Sequence, residues 1–190
     1  MKFLPTPLLG AYVIELDLKS DARGHFARAF CAREMAEQGL KTDLVQVNMT
    51  YSRHKGTLRG LHYQSEPACD GRIVRCLHGR IWDVIIDMRP QSETYLQYFS
   101  IELSAENRRS VYIPDMFAHG HISLTDDVEL IYLSSEYYAP YCERGVRYDD
   151  PAVGIKWPIP HTVISEKDLA WPLLCDCDED GLSCSESKHL

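Results

Sequence analysis

Arg72-Ile73-Val74-Arg75-Cys76-Leu77-His78-Gly79-Arg80-Ile81-Trp82-Asp83-Val84-Ile85-Ile86-Asp87-Met88 decides the fold. Two runs rich in Val and Ile, residues 72–77 and 80–88, flank the turn pair His78-Gly79. β-Branched residues favour extended backbone, and runs this short between turn residues read as strands. The pattern repeats downstream over 98–103, 110–113, 119–124 and 128–134, with Thr125-Asp126-Asp127 as a further turn. Upstream, residues 44–49 alternate apolar and polar, 12–18 read as a strand, and Asp21-Ala22-Arg23-Gly24-His25 reads as a turn. The best helix runs from Cys31 and stops at Gly39. Many short strands with one helix predict an all-β sandwich or barrel, not alternating βαβ units.

From Tyr137 onward, Pro140, Pro151, Pro158, Pro160 and Pro172 interrupt regular structure, so this segment is expected to wrap the barrel in extended form. Residues 1–174 are expected to form one domain. Residues 175–190 are acidic and weakly apolar, and are expected to be a disordered tail.

The chain has 190 residues, enough for one real core, and a net charge of −8. That charge argues against broad nucleic-acid binding. No apolar run approaches the roughly 20 residues of a membrane span, and Met1-Lys2-Phe3-Leu4-Pro5 opens no signal-peptide core. The expected location is the cytoplasm. The seven cysteines are an odd number, with Cys31, Cys69, Cys76 and Cys142 scattered singly as suits reduced thiols. Cys175-Asp176-Cys177 lacks zinc-site spacing.

Gly56-Thr57-Leu58-Arg59-Gly60-Leu61-His62-Tyr63-Gln64 carries the first chemistry. An arginine clamps phosphate, and a histidine moves protons near neutral pH. In a regular strand Arg59 and His62 point to opposite faces, unless Gly60 hosts a bulge. His119 and His121, two apart, share a face. Taken singly, His62 fits a core histidine, Tyr132 a buried phenol with a satisfied hydroxyl, and Asp168 a helix cap.

Together the segments resemble the dTDP-4-dehydrorhamnose 3,5-epimerase family from about Leu9 to Trp171. The phrases that carry the resemblance are 56–64, Leu103-Ser104-Ala105-Glu106-Asn107-Arg108, Ile113-Pro114 with Phe117-Ala118-His119-Gly120, Tyr137-Tyr138-Ala139-Pro140, Asp149-Asp150-Pro151 with Gly154-Ile155-Lys156-Trp157-Pro158, and Ser165-Glu166-Lys167-Asp168. The resemblance implies a cupin-type jelly roll with a few short helices. It also implies an isomerase that needs no metal or other cofactor, acting on a nucleoside-diphosphate 4-keto-6-deoxy sugar in deoxysugar biosynthesis. By residue, it implies His62 as base, Asp168 as its carboxylate partner, Tyr132 as acid on the far face, and Arg72 beside the developing enolate. Arg23 and Arg59 are implied to hold the diphosphate; Gln46, Asn48, His119 and Tyr138 to line the substrate pocket. It further implies a homodimer in which Arg23 reaches the partner's pocket. The chain departs from the family at Arg72, where a lysine is usual, and at His121, where an apolar or aromatic residue is common.

Two other readings compete. His62, His119 and His121 offer three imidazoles for a metal-dependent cupin enzyme. Arg72 in place of lysine fits a catalytically silent sugar-nucleotide binder, although such a binder needs no acid and base on opposite faces.

Overall fold

The computed structural model describes residues 1–176. Thirteen strands and two short α-helices follow in chain order: β1 (Lys2–Pro5), β2 (Tyr12–Glu15), β3 (Lys19–Asp21), β4 (Gly24–Phe26), α1 (Ala32–Ala36), β5 (Gln46–Ser52), β6 (Leu58–Gln64), β7 (Arg72–His78), β8 (Arg80–Asp87), β9 (Tyr98–Ser104), β10 (Ser110–Ile113), β11 (Phe117–Ser123), β12 (Val128–Ser134), β13 (Glu143–Gly145) and α2 (Glu166–Leu169). A six-stranded sheet has the order β1-β2-β10-β7-β12-β5, a five-stranded sheet has the order β13-β6-β11-β8-β9, and β3–β4 form a separate hairpin. Every paired ladder between these strands is antiparallel. The architecture is the expected cupin-type jelly-roll sandwich.

The two strands that decide the fold lie in different sheets. His78-Gly79 is a corner that carries the chain from one sheet to the other, and Gly79 takes a positive φ of 73°. Val74, Cys76, Val111, Ile113 and Leu130 from one sheet meet Ile81, Ile85, Leu103 and Phe117 from the other in the main core. β8 is buried along nearly its whole length because its outer face is covered too. There Val84, Ile86 and Ala118 pack under Tyr148, Val153, Ile155 and Trp157. The proline-rich segment thus wraps the five-stranded sheet.

That segment is more regular than its prolines predict. Glu143–Gly145 adds an edge strand beside β6, and Glu166–Leu169 forms α2, capped by the Ser165 hydroxyl accepting from the Asp168 amide at 3.0 Å. Prolines fall outside both pieces and mark their boundaries. Strand 12–18 is shorter than expected, ending at Glu15, and strand 44–49 begins two residues late and runs on to Ser52. The helix expected from Cys31 to Gly39 is Ala32–Ala36, with Cys31 at its N-cap and Gly39 in a left-handed turn at φ 70°. The tail expectation for 175–190 falls outside the described residues, apart from Cys175 and Asp176 in a closing 3-10 turn. Among the described residues no helix is long and apolar enough to cross a membrane.

Candidate active site

The cleft forms where β6 bulges. Across the β6–β11 ladder His119 faces His62, and His121 faces Arg59, so three steps on β6 span two on β11. The extra residue falls at Gly60-Leu61 and turns Arg59 and His62 toward the same space. Gly60 makes this possible. Its φ is 102°, and a Cβ there would lie 2.6 Å from the His119 carbonyl oxygen and 2.7 Å from Gly120 Cα.

Gly56 brings in the second wall. With φ 80°, it lets Thr162 approach so closely that a Cβ would sit 2.7 Å from the threonine hydroxyl. Gly56 accepts from the Thr162 amide at 2.8 Å, and the Leu58 amide donates to Val163 O at 2.8 Å. Val163, Ile164 and Ser165 therefore edge the cleft, and α2 delivers Asp168 into it. The cleft holds about 460 Å³ and is lined by Arg59, His62, Arg72, His119, His121, Tyr132 and Asp168, among others. β6 and β11 belong to one sheet, β7 with Arg72 and β12 with Tyr132 to the other. The cleft thus lies between groups supplied by both layers of the sandwich.

His62 Nε2 lies 2.6 Å from Asp168 Oδ1, and the Gly60 amide donates to Asp168 Oδ2 at 3.2 Å. Burial pushes the Asp168 carboxyl up, but the bonds from His62, Gly60 and Ser165 outweigh it and hold the group below its ordinary value. Trp171 meets the His62 ring edge-on at 6.1 Å. Tyr132 is half-buried at the cleft, and the burial of its phenol raises it well above the usual range, so it keeps its proton at neutral pH. His119 stacks edge-on against Tyr132 at 5.9 Å and spends its Nε2 on Asp83 Oδ1 at 2.7 Å. Arg72 donates through Nε to Asp70 Oδ2 at 2.5 Å.

A smaller adjoining cavity of about 130 Å³ shares Arg72 and Tyr132 with the cleft and is lined by Gln46, Asn48, Glu136 and Tyr138. Gln46 Oε1 accepts from the Tyr138 amide at 2.7 Å, and the Tyr138 hydroxyl donates to Glu143. Lys167 pairs with the same Glu143 at 2.7 Å.

Nine of the ten residues named from the sequence line these two joined cavities: His62, Tyr132, Asp168, Arg72, Gln46, Asn48, Arg59, His119 and Tyr138. Arg23 does not. It sits beside the exposed tip of the β3–β4 hairpin, paired with Asp21 at 2.6 Å. Among the carboxylates that were missed are Asp83, Glu143 and Asp70, the last paired with Arg72. Asp83 had a legible signal: a lone charge within Ile81-Trp82-Asp83-Val84-Ile85 has no route to water and needs a buried partner. Glu143 had none, because its neighbours Tyr138 and Lys167 are distant in sequence or hidden among prolines. His62, His119 and His121 share the cleft, but two of their Nε2 atoms bond carboxylates. Among the described residues no group of three His, Cys, Asp or Glu side chains gathers as metal ligands.

A histidine–carboxylate pair, a half-buried phenol and two arginines around one cleft of a jelly roll are groups suited to proton transfer on a bound anionic ligand. The family model described as dTDP-4-dehydrorhamnose 3,5-epimerase matches residues 5–176, and the chain belongs to that family. A curated relative, the dTDP-4-dehydrorhamnose 3,5-epimerase of Methanothermobacter thermautotrophicus, is 41% identical over 173 residues, spanning 90% of this chain and 92% of its own. The crystal structure of the epimerase from Elizabethkingia anophelis NUHP1 superposes with a TM-score of 0.90 at 37% identity, covering 93% of this chain and 97% of that one. The Legionella pneumophila dTDP-6-deoxy-D-glucose-3,5-epimerase, solved in complex with dTDP-4-keto-L-rhamnose, matches with a TM-score of 0.89 at 36% identity, covering 96% of this chain and 97% of that one.

Proposed function

We propose that this protein inverts C3, C5 or both of a dTDP-linked 4-keto-6-deoxy sugar in deoxysugar biosynthesis. The observation that carries the reading is the His62–Asp168 pair at 2.6 Å, facing one cleft with a protonated Tyr132 from the other sheet. The C4 carbonyl acidifies the protons on its neighbouring carbons. His62 takes one of them, and the C–H electrons move into the ring to form an enolate at O4. Asp168 holds the imidazole and stabilises the imidazolium. Arg72 offsets the charge on O4, its Nε tied to Asp70 and its terminal nitrogens left for the cleft. Tyr132 returns a proton to the opposite face, which inverts the carbon. Arg59 takes the diphosphate, and His119, Gln46, Asn48 and Tyr138 line the sugar and nucleotide path.

Residues 1–174 act as one domain in this reading, and the active species is a homodimer. β5 is an edge strand with exposed Val47, Met49 and Tyr51, a surface that pairing between subunits would cover. Arg23, on its projecting hairpin, then reaches the partner's cleft and its diphosphate. Cys31, Cys69, Cys76 and Cys142 are free thiols, which suit the cytoplasm.

Incubation in heavy water with dTDP-, CDP- and GDP-linked 4-keto-6-deoxy sugars, read by NMR, tests the proposal. Deuterium entering C3 or C5 of the dTDP sugar supports it and gives the regiochemistry. Folded protein that exchanges neither carbon overturns it.

A further inference from the structure

His121 lines the cleft but takes no part in the reaction above. It is 1% exposed, and its Nε2 has no hydrogen-bond partner. A buried imidazole nitrogen left unpaired is a cost that a ligand atom would remove. The neighbouring histidine does not relieve it: the His119 ring lies 6.2 Å away and its own Nε2 is bonded to Asp83.

The register says which part of a sugar nucleotide His121 would meet. It lies opposite Arg59, the diphosphate contact, while His119 lies opposite His62, the base. His121 therefore sits toward the phosphate end of the reacting ring. In a nucleoside-diphosphate sugar C1 bears the diphosphate and C3 loses a proton, so C2 and its hydroxyl lie between those two points. Burial, with the neighbouring His119 and Arg59 adding to it, lowers the His121 ring's hold on a second proton and keeps it neutral. A neutral ring suits a hydroxyl better than a phosphate, because a hydroxyl can complement either tautomer by donating or accepting.

We propose that His121 Nε2 hydrogen-bonds the C2 hydroxyl of the sugar and makes this chain selective for 2-hydroxylated over 2-deoxy substrates. The inference rests on the epimerase reading. Its test uses dTDP-4-keto-6-deoxyglucose and its 2-deoxy analogue, with KM and kcat for deuterium exchange measured on wild type, His121→Phe and His121→Gln. Wild type is expected to show a KM about ten-fold higher for the 2-deoxy sugar, the scale of one hydrogen bond. His121→Phe should lose that discrimination through a raised KM for the 2-hydroxylated sugar alone, at unchanged kcat. His121→Gln, which keeps a polar group at similar reach, should recover part of it. Equal KM values for the two sugars on wild type overturn the inference without any variant, so it stays testable even if His121→Phe fails to fold. So does undiminished discrimination by folded His121→Phe. Exchange that is absent with the 2-hydroxylated sugar itself overturns the epimerase reading and this inference with it; exchange without discrimination overturns only the latter.

Discussion

Among the described residues, two histidine–aspartate pairs of nearly the same length sit in different settings. His62–Asp168 spans 2.6 Å between β6 and α2, with 29% of the histidine side chain still exposed. His119–Asp83 spans 2.7 Å between the neighbouring strands β11 and β8, and its side chains are only 4% and 1% exposed. The first pair has a carboxylate behind the ring and open cleft beyond it, which is what proton transfer to a ligand requires. The second is shut inside the sheet, and its ring presses edge-on against Tyr132. Like pairs therefore sit in unlike settings: one faces open cleft, while the other is shut inside the sheet and packs against Tyr132.

The largest expected effect breaks this contrast at its open end. His62→Ala should lower deuterium exchange at both C3 and C5 by about 10⁴-fold, near the upper range for a lost general base. A loss this large at one carbon only would mean that a second base serves the other. Tyr132→Phe sharpens the contrast from the other sheet. Inversion should fall by about 10³-fold, while deuterium still washes into the carbon that His62 deprotonates. Equal loss of wash-in and inversion would remove Tyr132 from the acid's role.

The two aspartates then separate activity from stability. Asp168→Asn should cost about 10² in turnover with a smaller change in melting temperature. Asp83→Asn should weaken a fully enclosed bond, and a loss of about 1–3 kcal/mol in denaturant unfolding is expected. The Asp168 pair also has a pH signature. Its folded carboxyl lies below its ordinary value, so the pair's stabilisation is present above that ordinary value and is lost as pH falls through the lowered one. The stability difference between wild type and Asp168→Asn should thus hold steady from neutral pH to about pH 4 and shrink below it. A difference that fades between pH 7 and 5 would contradict the assignment.

Much of this was legible in the sequence, for reasons that differ by residue. Short β-branched runs parted by Gly and Asp turns predict the strands, because their period and their breakers agree. That 72–77 and 80–88 part into different sheets was not legible, since a turn pair does not say which sheet receives the next strand. Gly60 shows the reverse case. A glycine between Arg59 and His62 was the one local sign of a bulge, and that bulge puts the two side chains in one cleft. β13 and α2 were hidden because neighbouring prolines mask short elements whose order comes from tertiary contacts. Arg23 was readable as an arginine in a turn, but the single chain leaves it in solvent.

A third ion pair gives the finest test. Arg72–Asp70 is a half-open version of the two dyads, with side-chain exposures of 18% and 7%. Arginine serves two directions at once: Nε meets Asp70 at 2.5 Å, while the terminal nitrogens remain for an oxygen in the cleft. Lysine carries the same charge on one nitrogen, which Asp70 would draw toward itself. Arg72→Lys should therefore remain active, with kcat reduced less than about ten-fold and KM nearly unchanged, because charge at O4 matters chiefly once the enolate forms. A rise in KM instead would place Arg72 on the ground-state substrate. A dead enzyme would mean that its planar fork makes a contact that charge alone cannot replace.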